Sequence, residues 1–299
     1  MPEFTFRSDE IALPRGAWAK AHRMRLRHGD ASVLAVTQGA FRSYLHPLST
    51  PAGFCVTSES PSDHPHHCGA WIASDHVHAM VPAANAQVEE YTYNFYVDEV
   101  FQGRSPGRIV GIVKEAGAAD DGYRIVQTLE WHGPTEWAAP AGRLVAREVR
   151  TITVDCGARR NRIDMTSRLS CGEFALKLGP TRHAWFNVRV ADSMIVQNGG
   201  AVTDDRGLSG GVAVSGAGAR WVDFTGPVGG GAIAGVCVVP HRLPGRVPFW
   251  FVADWGVVTV GPFRDVGLSL EPEETFESSY TLLVHDGPPD RDEIELIAQ

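Results

Sequence analysis

The sequence predicts an all-β protein built as a large antiparallel β-sandwich, and three observations support this fold class. Short β-branched or aromatic segments recur between residues 30 and 285, and clusters of Gly, Pro, Asn and Asp separate them. Apolar residues at the helical spacing of 3.6 are almost absent from this region. The 32 glycines and 19 prolines supply the turns that many short connections require.

The strand pattern is clearest at residues 162–169, where Ile163, Met165 and Leu169 alternate with charged side chains. A period of two predicts one packed face and one wet face. A short C-terminal helix is predicted at 291–298, where Asp290 can cap the first turn behind two prolines. The same reasoning predicts further strands at 108–113, 123–131, 144–154, 185–190, 232–239, 249–253 and 275–284.

The chain shows no sign of division, so a single domain spanning 1–299 is predicted. No composition shift, Ser/Gly linker or internal repeat interrupts it, and the glycine-rich stretches 207–218 and 226–235 are predicted to be hairpin loops. The absence of G-x-G-x-x-G and P-loop motifs argues against a nucleotide site. The sequence leaves the oligomeric state open.

Charge and cysteine content indicate the kind of partner and the compartment. The net charge is −8 and no Lys/Arg run occurs, which argues against nucleic acid and anionic membranes and favours a small, weakly charged ligand. No signal-like or membrane-spanning apolar run is present. The five cysteines lack disulfide or zinc spacing, so we expect a cytoplasmic protein with reduced thiols.

Histidines are concentrated in one part of the chain. Pro65 fixes the backbone between two of them, which predicts an extended or turned loop rather than a helix. On such a backbone, residues two apart point the same way, and Asp63 and Asp75 lie close enough in sequence to orient the imidazoles. Six of the twelve lie within residues 46–78, namely His46, His64, His66, His67, His76 and His78.

Two kinds of chemistry fit this cluster, and the sequence leaves both open. His66 and His67 are candidates for general acid–base catalysis, because a neutral-pH imidazole suits proton transfer. His64, His66 and His76, with a carboxylate, are candidates to bind a divalent metal such as zinc, iron or copper. The alternative that several of these histidines only cap turns or face solvent also stays open.

Residues far along the chain are predicted to complete the site. Glu148 shares a face of the 144–154 strand with Arg150, which makes Glu148 a catalytic candidate and Arg150 a substrate-binding one, unless they form an ordinary ion pair. Arg182 and His183 precede the 185–190 strand, and strand ends commonly contact ligands. His183 is therefore a catalytic candidate and Arg182 a substrate-binding one.

Three further residues are substrate-binding candidates. His46 belongs to the histidine-rich part of the chain, and His241 follows the 232–239 strand. Trp71, four residues after His67, is the candidate to stack on the apolar face of a sugar ring. A sandwich brings strand-end loops together, so we expect all the distant candidates to converge on the histidines.

Five sequence stretches resemble the bacterial family labelled methane oxygenase PmoA. They are HPLSTPAG at 46–53, DHPHHCGAW at 63–71, REVR at 147–150, RWVDFTG at 220–226 and LLVHDG at 282–287. The resemblance covers about residues 40–287 and implies a β protein similar to the galactose-mutarotase-like supersandwich. It also implies that the gene lies near genes for sugar oxidoreductases and sugar isomerases. The chain departs from the family pattern at Cys68, at Arg182-His183 and at 241–243.

The leading hypothesis is an enzyme that acts on a sugar or a sugar-derived compound by histidine and carboxylate acid–base chemistry. Epimerisation, elimination and hydrolysis remain open, and a bound metal would act as a Lewis acid. A second hypothesis is a non-catalytic carbohydrate-binding protein. A third is a metal-dependent oxygenase with a histidine/carboxylate site.

Overall fold

The computed structural model describes residues 3–9, 22–120, 122–243 and 247–299. Strands account for 59% of the described residues and helices for 7%, so the predicted all-β class is confirmed. The described strands form three sheets of nine, eight and five strands. No helix in these ranges combines the length and the apolar surface that a membrane crossing requires.

The nine-stranded sheet carries the candidate site on one of its faces. Its strands come from residues 4–74 and 184–261, so residues distant in sequence become neighbours. In spatial order they are β1 (Phe4–Asp9), β2 (His22–His28), β3 (Ala31–Gln38), β4 (Ser43–Leu48), β5 (Ala70–Ser74), β14 (Ala184–Arg189), β20 (Val257–Gly261), β19 (Phe249–Ala253) and β16 (Gly216–Ala217).

The eight-stranded sheet contains the longest strands, and every neighbouring pair in it is antiparallel. Its spatial order is β15 (Ala201–Asp204), β17 (Val222–Gly229), β18 (Ala232–Arg242), β22 (Thr275–Asp286), β12 (Arg160–Cys171), β11 (Leu144–Cys156), β10 (Gly122–His132) and β9 (Arg108–Ala119). All eight strands predicted from the sequence occur in the structure. Six of them belong to this sheet, and the other two, β14 and β19, belong to the nine-stranded sheet.

A smaller sheet and a few short helices complete the described part of the fold. The sheet has the order β21 (Leu268–Leu270), β13 (Ala175–Leu178), β6 (Val77–Pro82), β7 (Val88–Asn94) and β8 (Ser105–Pro106), and only β7 and β8 run parallel. The α-helices are α1 (Gly211–Val214) and α2 (Arg291–Ile297), and single 3₁₀ turns occur at Ala84–Ala86, Asp192–Met194 and Val196–Asn198.

The two large sheets pack face to face around the main core. Trp131 on β10 stacks on Trp185 of β14 at 5.5 Å between ring centroids, and Phe186 stacks on Tyr280 of β22 at 4.4 Å. On β12 burial alternates along the strand, with Met165 inside and its neighbours partly exposed. The period-two pattern of this segment therefore reflects one face turned to the sandwich interior.

The central strands of the nine-stranded sheet have a second apolar face, directed away from the main core. Trp71 and Ala73 on β5 form a separate buried cluster with Val257 of β20, and Tyr96 covers them from the connection after β7. Because side chains alternate across a strand, their neighbours Ile72 and Val258 lie in the main core instead. This second face is the base on which the candidate site is built.

Of the three loop and helix predictions, one is wrong and two are confirmed. The stretch 207–218 is not a plain hairpin loop, because it contains α1 and β16. The stretch 226–235 is a hairpin as predicted, since β17 turns into β18 there. The C-terminal helix is also confirmed as α2, and Asp290 caps it by accepting a hydrogen bond from Glu293 N at 3.2 Å.

Candidate active site

The histidine loop, residues 60–69, consists of consecutive turns that lie against the second apolar face. His67 N donates to His64 O at 2.9 Å, which closes one turn within the loop. Gly69 has a φ of +59°, and a Cβ there would lie 2.1 Å from a carbonyl oxygen of β4, so only glycine fits. The turns bring the rings of His64, His66 and His67 together, with centroids 4.6 to 5.8 Å apart.

Aromatic rings surround these imidazoles on two levels. His64 stacks on Trp255 with centroids 4.2 Å apart and planes inclined by 9°. Beneath them lies buried His67, whose ring centroid is 5.1 Å from that of Trp71 and 5.7 Å from that of Tyr96. His64 and Trp255 remain partly exposed, whereas the lower rings are buried. The cluster therefore presents an aromatic surface to solvent above a closed apolar base.

A fourth histidine joins the cluster through a buried carboxylate. Asp75, between β5 and β6, accepts a hydrogen bond from His183 Nδ1 at 3.1 Å, and its side chain is only 5% exposed. Thr181 Oγ1 donates to the same carboxylate at 2.5 Å and His76 Nδ1 at 2.8 Å. Burial raises the pKa of Asp75, but these hydrogen bonds outweigh it and lower the value to about 2. Asp75 is therefore an ionised, fixed acceptor for His183.

His66 and His183 both contact one buried phenol ring. The centroid of the Tyr96 ring is 5.7 Å from that of His66 and 5.3 Å from that of His183. Both imidazoles are partly exposed. We name His64, His66, His67 and His183, together with Tyr96 and Trp255, the histidine cluster. His66 and His183, the two partly exposed imidazoles in contact with Tyr96, are the groups best placed to meet a ligand.

Four arginines border the histidine cluster. Arg42 Nη1 donates to the His66 carbonyl at 2.5 Å and pairs with Asp98. Arg189 binds the loop carboxylate that precedes His64, and Arg104 Nη2 lies 3.7 Å from Asp75. The fourth, Arg182, is exposed, rests on the Phe251 ring at 4.9 Å and donates from Nε to His183 Nε2 at 3.2 Å.

Burial and positive charge keep the loop histidines neutral. Burial, reinforced by the Arg42 guanidinium, lowers the pKa of His66 to about 4. Burial and the neighbouring imidazoles lower the pKa of His67 still further. Burial also raises the pKa of the Tyr96 phenol. At neutral pH, His66 and His67 are therefore uncharged, and each has one ring nitrogen that can accept a hydrogen bond.

Of the residues expected to converge, the structure brings His183 and Arg182 to the loop histidines. Trp71 lies beneath them, but it is fully buried under His67 and has no face open to a sugar ring. Trp255, in the turn between β19 and β20, is the partly exposed aromatic at this place instead. This corrects the assignment of Trp71 as a stacking residue.

Glu148 and Arg150 do not reach the cluster. Their side chains point into the main core, where Arg150 Nε donates to Glu148 Oε1 at 2.9 Å and both residues are 1% exposed. Trp131 Nε1 and Ser167 Oγ donate to the same carboxylate. The nine-stranded sheet lies between this pair and the histidines. The expected convergence of Glu148 and Arg150 on the site is therefore wrong.

The other distant candidates also lie apart. His241 is exposed on β18 of the eight-stranded sheet and contacts Thr281 Oγ1 at 2.7 Å. His46 contacts Thr57 Oγ1 at 3.0 Å and has Glu59 3.8 Å away, with no ring contact to the loop histidines. Each therefore has a local polar partner that accounts for its position, and neither contacts the histidine cluster.

The structure does not assemble the proposed metal ligands. His76 reaches the cluster only through Asp75, while His64 faces Asp63 at 2.9 Å. Across the described ranges, no group of three or more His, Cys, Asp or Glu side chains has the arrangement of a metal site. The set His64, His66 and His76 therefore does not fit a bound ion, and no chemical step is derived through one.

Sequence reasoning missed five residues of this region, one of which, Arg189, lies inside the predicted 185–190 strand. Tyr96, Arg42 and Arg104 carry no local signal, because they follow or precede strands with no motif around them. Trp255 was one of several strand-associated tryptophans, and only its place in the β19–β20 turn distinguishes it. All five reach the site by strand pairing across the nine-stranded sheet and its neighbours, which the sequence does not reveal.

Comparisons with solved structures show only distant similarity. The chain is similar to a candidate aldose 1-epimerase of Escherichia coli K12 (10% identity, TM-score 0.40, covering 95% of this chain and 100% of that one). It is also similar to a galactose mutarotase-like protein of Lactobacillus casei (8% identity, TM-score 0.43, covering 94% and 100%). Similarities of this size carry no argument about activity.

Sequence comparisons identify the family but not its activity. No curated protein matches the chain. The methane oxygenase name suggested by the motif resemblance finds no support in any comparison. A family model described as a family of unknown function, DUF6807, matches residues 23–299. Because that match includes nearly the whole sequence, the chain belongs to the DUF6807 family.

Proposed function

We propose that this protein is an acid–base enzyme that acts on a sugar or a sugar-derived compound at the histidine cluster. The observation that carries the proposal is the hydrogen bond between buried Asp75 and partly exposed His183. A carboxylate that holds one nitrogen of an imidazole directs the other nitrogen to accept a proton, as in catalytic triads. His183 would serve as the general base.

The tautomer of His183 follows from its two contacts. Ionised Asp75 can only accept, so Nδ1 carries the proton of the 3.1 Å hydrogen bond. Arg182 Nε can only donate, so Nε2 of His183 is the accepting nitrogen at 3.2 Å. The lone pair on Nε2 therefore faces an exposed side chain that a substrate hydroxyl or C–H group can replace.

His66 would supply a hydrogen-bond donor to the substrate. Like His183 it contacts the Tyr96 ring, it is partly exposed, and it is neutral at neutral pH because of its lowered pKa. A neutral imidazole can donate from one nitrogen while the other accepts. A substrate in contact with both imidazoles would have His183 as the base that removes a proton beside a carbonyl carbon, and His66 as the hydrogen-bond donor that stabilises the carbonyl oxygen.

The proposed substrate class rests on the composition of the accessible surface. The stacked rings of His64 and Trp255 offer an apolar face, and His66, His183 and Arg182 offer polar groups beside it. Ligand sites commonly combine an apolar surface with a few convergent polar groups, and a sugar ring has both kinds of surface. Epimerisation, elimination and hydrolysis all remain consistent with this arrangement.

A deuterium-exchange assay tests the proposal. We would incubate the protein with a panel of aldoses, uronic acids and sugar lactones in D₂O and follow C–H exchange and product formation by proton NMR. His183→Asn should reduce the rate by about 100-fold or more, the usual contribution of a general base. Asp75→Asn should reduce it as well, because it removes the group that fixes the tautomer.

The matched control is His132→Asn. His132 pairs with Glu130 at 3.0 Å on β10, outside the histidine cluster, so its loss should leave the rate unchanged. Equal rates for wild type and His183→Asn would refute the catalytic assignment. Sugar binding that depends on His183, without turnover of any compound in the panel, would instead favour a non-catalytic carbohydrate-binding protein.

A further inference from the structure

Hydrogen-bond donors without acceptors are concentrated at the histidine cluster. In the described part of the chain, nine buried side-chain nitrogen or oxygen atoms lack a partner. Five of them belong to residues of this region, and all five are nitrogens: Nε of Arg42, Arg104 and Arg189, Nε1 of Trp71 and Nδ1 of His67. Guanidinium and indole N–H groups can only donate. Four of these five buried atoms are therefore donors without an acceptor, so the protein groups beneath the site carry an excess of positively polarised N–H groups.

Three of the four arginines have a carboxylate nearby, and the fourth, Arg182, does not. Arg42 pairs with Asp98, Arg104 lies near Asp75, and Arg189 pairs with Asp63. Arg182 has no carboxylate partner within the described ranges. It is also the exposed member of the four, held in place by the face of Phe251. An accessible guanidinium that is already positioned, beside a candidate base, is a ready site for an anionic group.

We propose that the substrate of this site is an acidic sugar, whose carboxylate binds to Arg182 beside His183. This inference rests on the proposed function and narrows its substrate class. The planar guanidinium matches a planar carboxylate and can hold both oxygens in a bidentate hydrogen bond. Because Arg182 Nε lies 3.2 Å from His183 Nε2, a bound carboxylate would bring its adjacent carbon to the accepting nitrogen of His183.

The surroundings favour a carboxylate over a phosphate. Asp63 and Asp75 already lie in this region, and a phosphate dianion would meet more repulsion from them than a single negative charge. Phosphates are also commonly bound at helix N-termini, whereas the helical segment that contacts Arg189, Asp192–Met194, is one 3₁₀ turn with an acidic residue at its start. A single exposed guanidinium is enough for a carboxylate.

Titration calorimetry on the intact protein tests this assignment. The probes are glucuronate, galacturonate and mannuronate, each compared with its neutral sugar and its 6-phosphate. At least one uronate should bind about tenfold or more tightly than its neutral counterpart, as expected for a hydrogen bond between charged groups. Arg182→Gln should remove this preference, so that each uronate and its neutral counterpart bind with affinities within about twofold of each other.

The control variant is Arg168→Gln. Arg168 is an exposed arginine on β12 of the eight-stranded sheet, so its loss should not change the preference. Circular dichroism checks that each variant is folded, and Arg182→Lys should retain only part of the preference because it lacks the planar fork.

The outcomes separate this inference from the proposed function. Equal affinity for uronates and neutral sugars, with both lost in His183→Asn, would overturn the acidic-sugar assignment and leave the proposed function standing. Preference for the 6-phosphates would overturn it in favour of phosphorylated sugars. Absence of binding for every probe, or binding that His183→Asn does not affect, would overturn both proposals.

Discussion

Arg189 at the end of β14 holds Asp63 of the histidine loop through two hydrogen bonds, 3.0 Å from Nη1 to Oδ2 and 2.9 Å from Nη2 to Oδ1. The guanidinium is 2% exposed and also lies over the Trp255 ring at 5.1 Å. Asp63 in turn contacts His64 Nδ1 at 2.9 Å. One buried arginine therefore connects the sheet, the aromatic surface and the loop that carries three histidines.

Loss of this connection should loosen the histidine loop. We expect Asp63→Ala to lower the free energy of unfolding by about 2 kcal/mol, because it leaves a buried charged donor with reduced pairing. It should also weaken sugar binding, since His64 loses its orienting carboxylate. Urea denaturation and calorimetry measure the two effects.

Asp192→Ala is the matched control for the Asp63 variant. Asp192 contacts the same guanidinium at 3.4 Å, but its side chain is 62% exposed. Its removal should change stability by less than about 0.5 kcal/mol, as for other exposed pairs. If both variants had the same effect, the specific role of Asp63 would be contradicted.

Glu148 should prove structural rather than catalytic. Glu148→Leu leaves Arg150 as an unpaired charge in the main core, and we expect a loss of about 3 to 5 kcal/mol of unfolding free energy. The double variant Glu148→Leu with Arg150→Met should recover most of that loss, because both charges are then replaced by apolar side chains.

Activity distinguishes the two roles of Glu148. At temperatures where the double variant is folded, its turnover and sugar affinity should match the wild type, since the nine-stranded sheet separates this pair from the histidine cluster. A folded double variant with more than about 100-fold lower turnover, the size of a lost acid or base, would restore Glu148 to the chemistry.

The two tryptophans near His67 should have opposite effects. Trp71 is fully buried, so Trp71→Ala should cost about 3 to 5 kcal/mol of unfolding free energy by opening a cavity. Trp255 is partly exposed, so Trp255→Ala should cost less stability. It should lower sugar affinity by about fivefold, the size of a lost stacking contact of about 1 kcal/mol. Sugar affinity that is insensitive to Trp255→Ala would remove Trp255 from the binding surface.

Acid should destabilise the protein before its carboxylates titrate. Burial lowers the pKa of both His46 and His66 from 6.5 to about 4. Between these values the unfolded chain binds protons that the folded chain does not, so the unfolding free energy falls as the pH falls through this window. Each group contributes at most about 1.4 kcal/mol per pH unit.

Denaturant titrations across this window measure the effect. The double variant His46→Gln with His66→Gln should show a shallower loss of stability between pH 6.5 and about 4 than the wild type. His285, paired with Asp223, has a raised pKa, so its stabilisation is lost as the pH rises and does not contribute to the acid slope. An unchanged slope in the double variant would contradict the lowered pKa values.

The sequence by itself determined the fold class and the local parts of the site. Alternation along residues 162–169 identified β12, because a strand has a period of two whatever it pairs with. The contacts of Asp63 with His64 and of Asp75 with His76 join adjacent residues, so proximity in sequence was enough to suggest them. The single-domain organisation stays a prediction.

Only the tertiary structure decided which residues meet and which faces are buried. His183 reaches Asp75 across 108 positions of sequence because β14 pairs with β5, and no local pattern encodes that pairing. The two-residue spacing of Glu148 and Arg150 placed both on one strand face, but it could not show whether that face lines a ligand pocket or a closed core. Burial likewise distinguishes Trp71, which is fully buried, from Trp255, which is partly exposed and can contact a ligand. These outcomes depend on the order of strands in the sheets, which is set by packing of the whole chain rather than by the period of any segment.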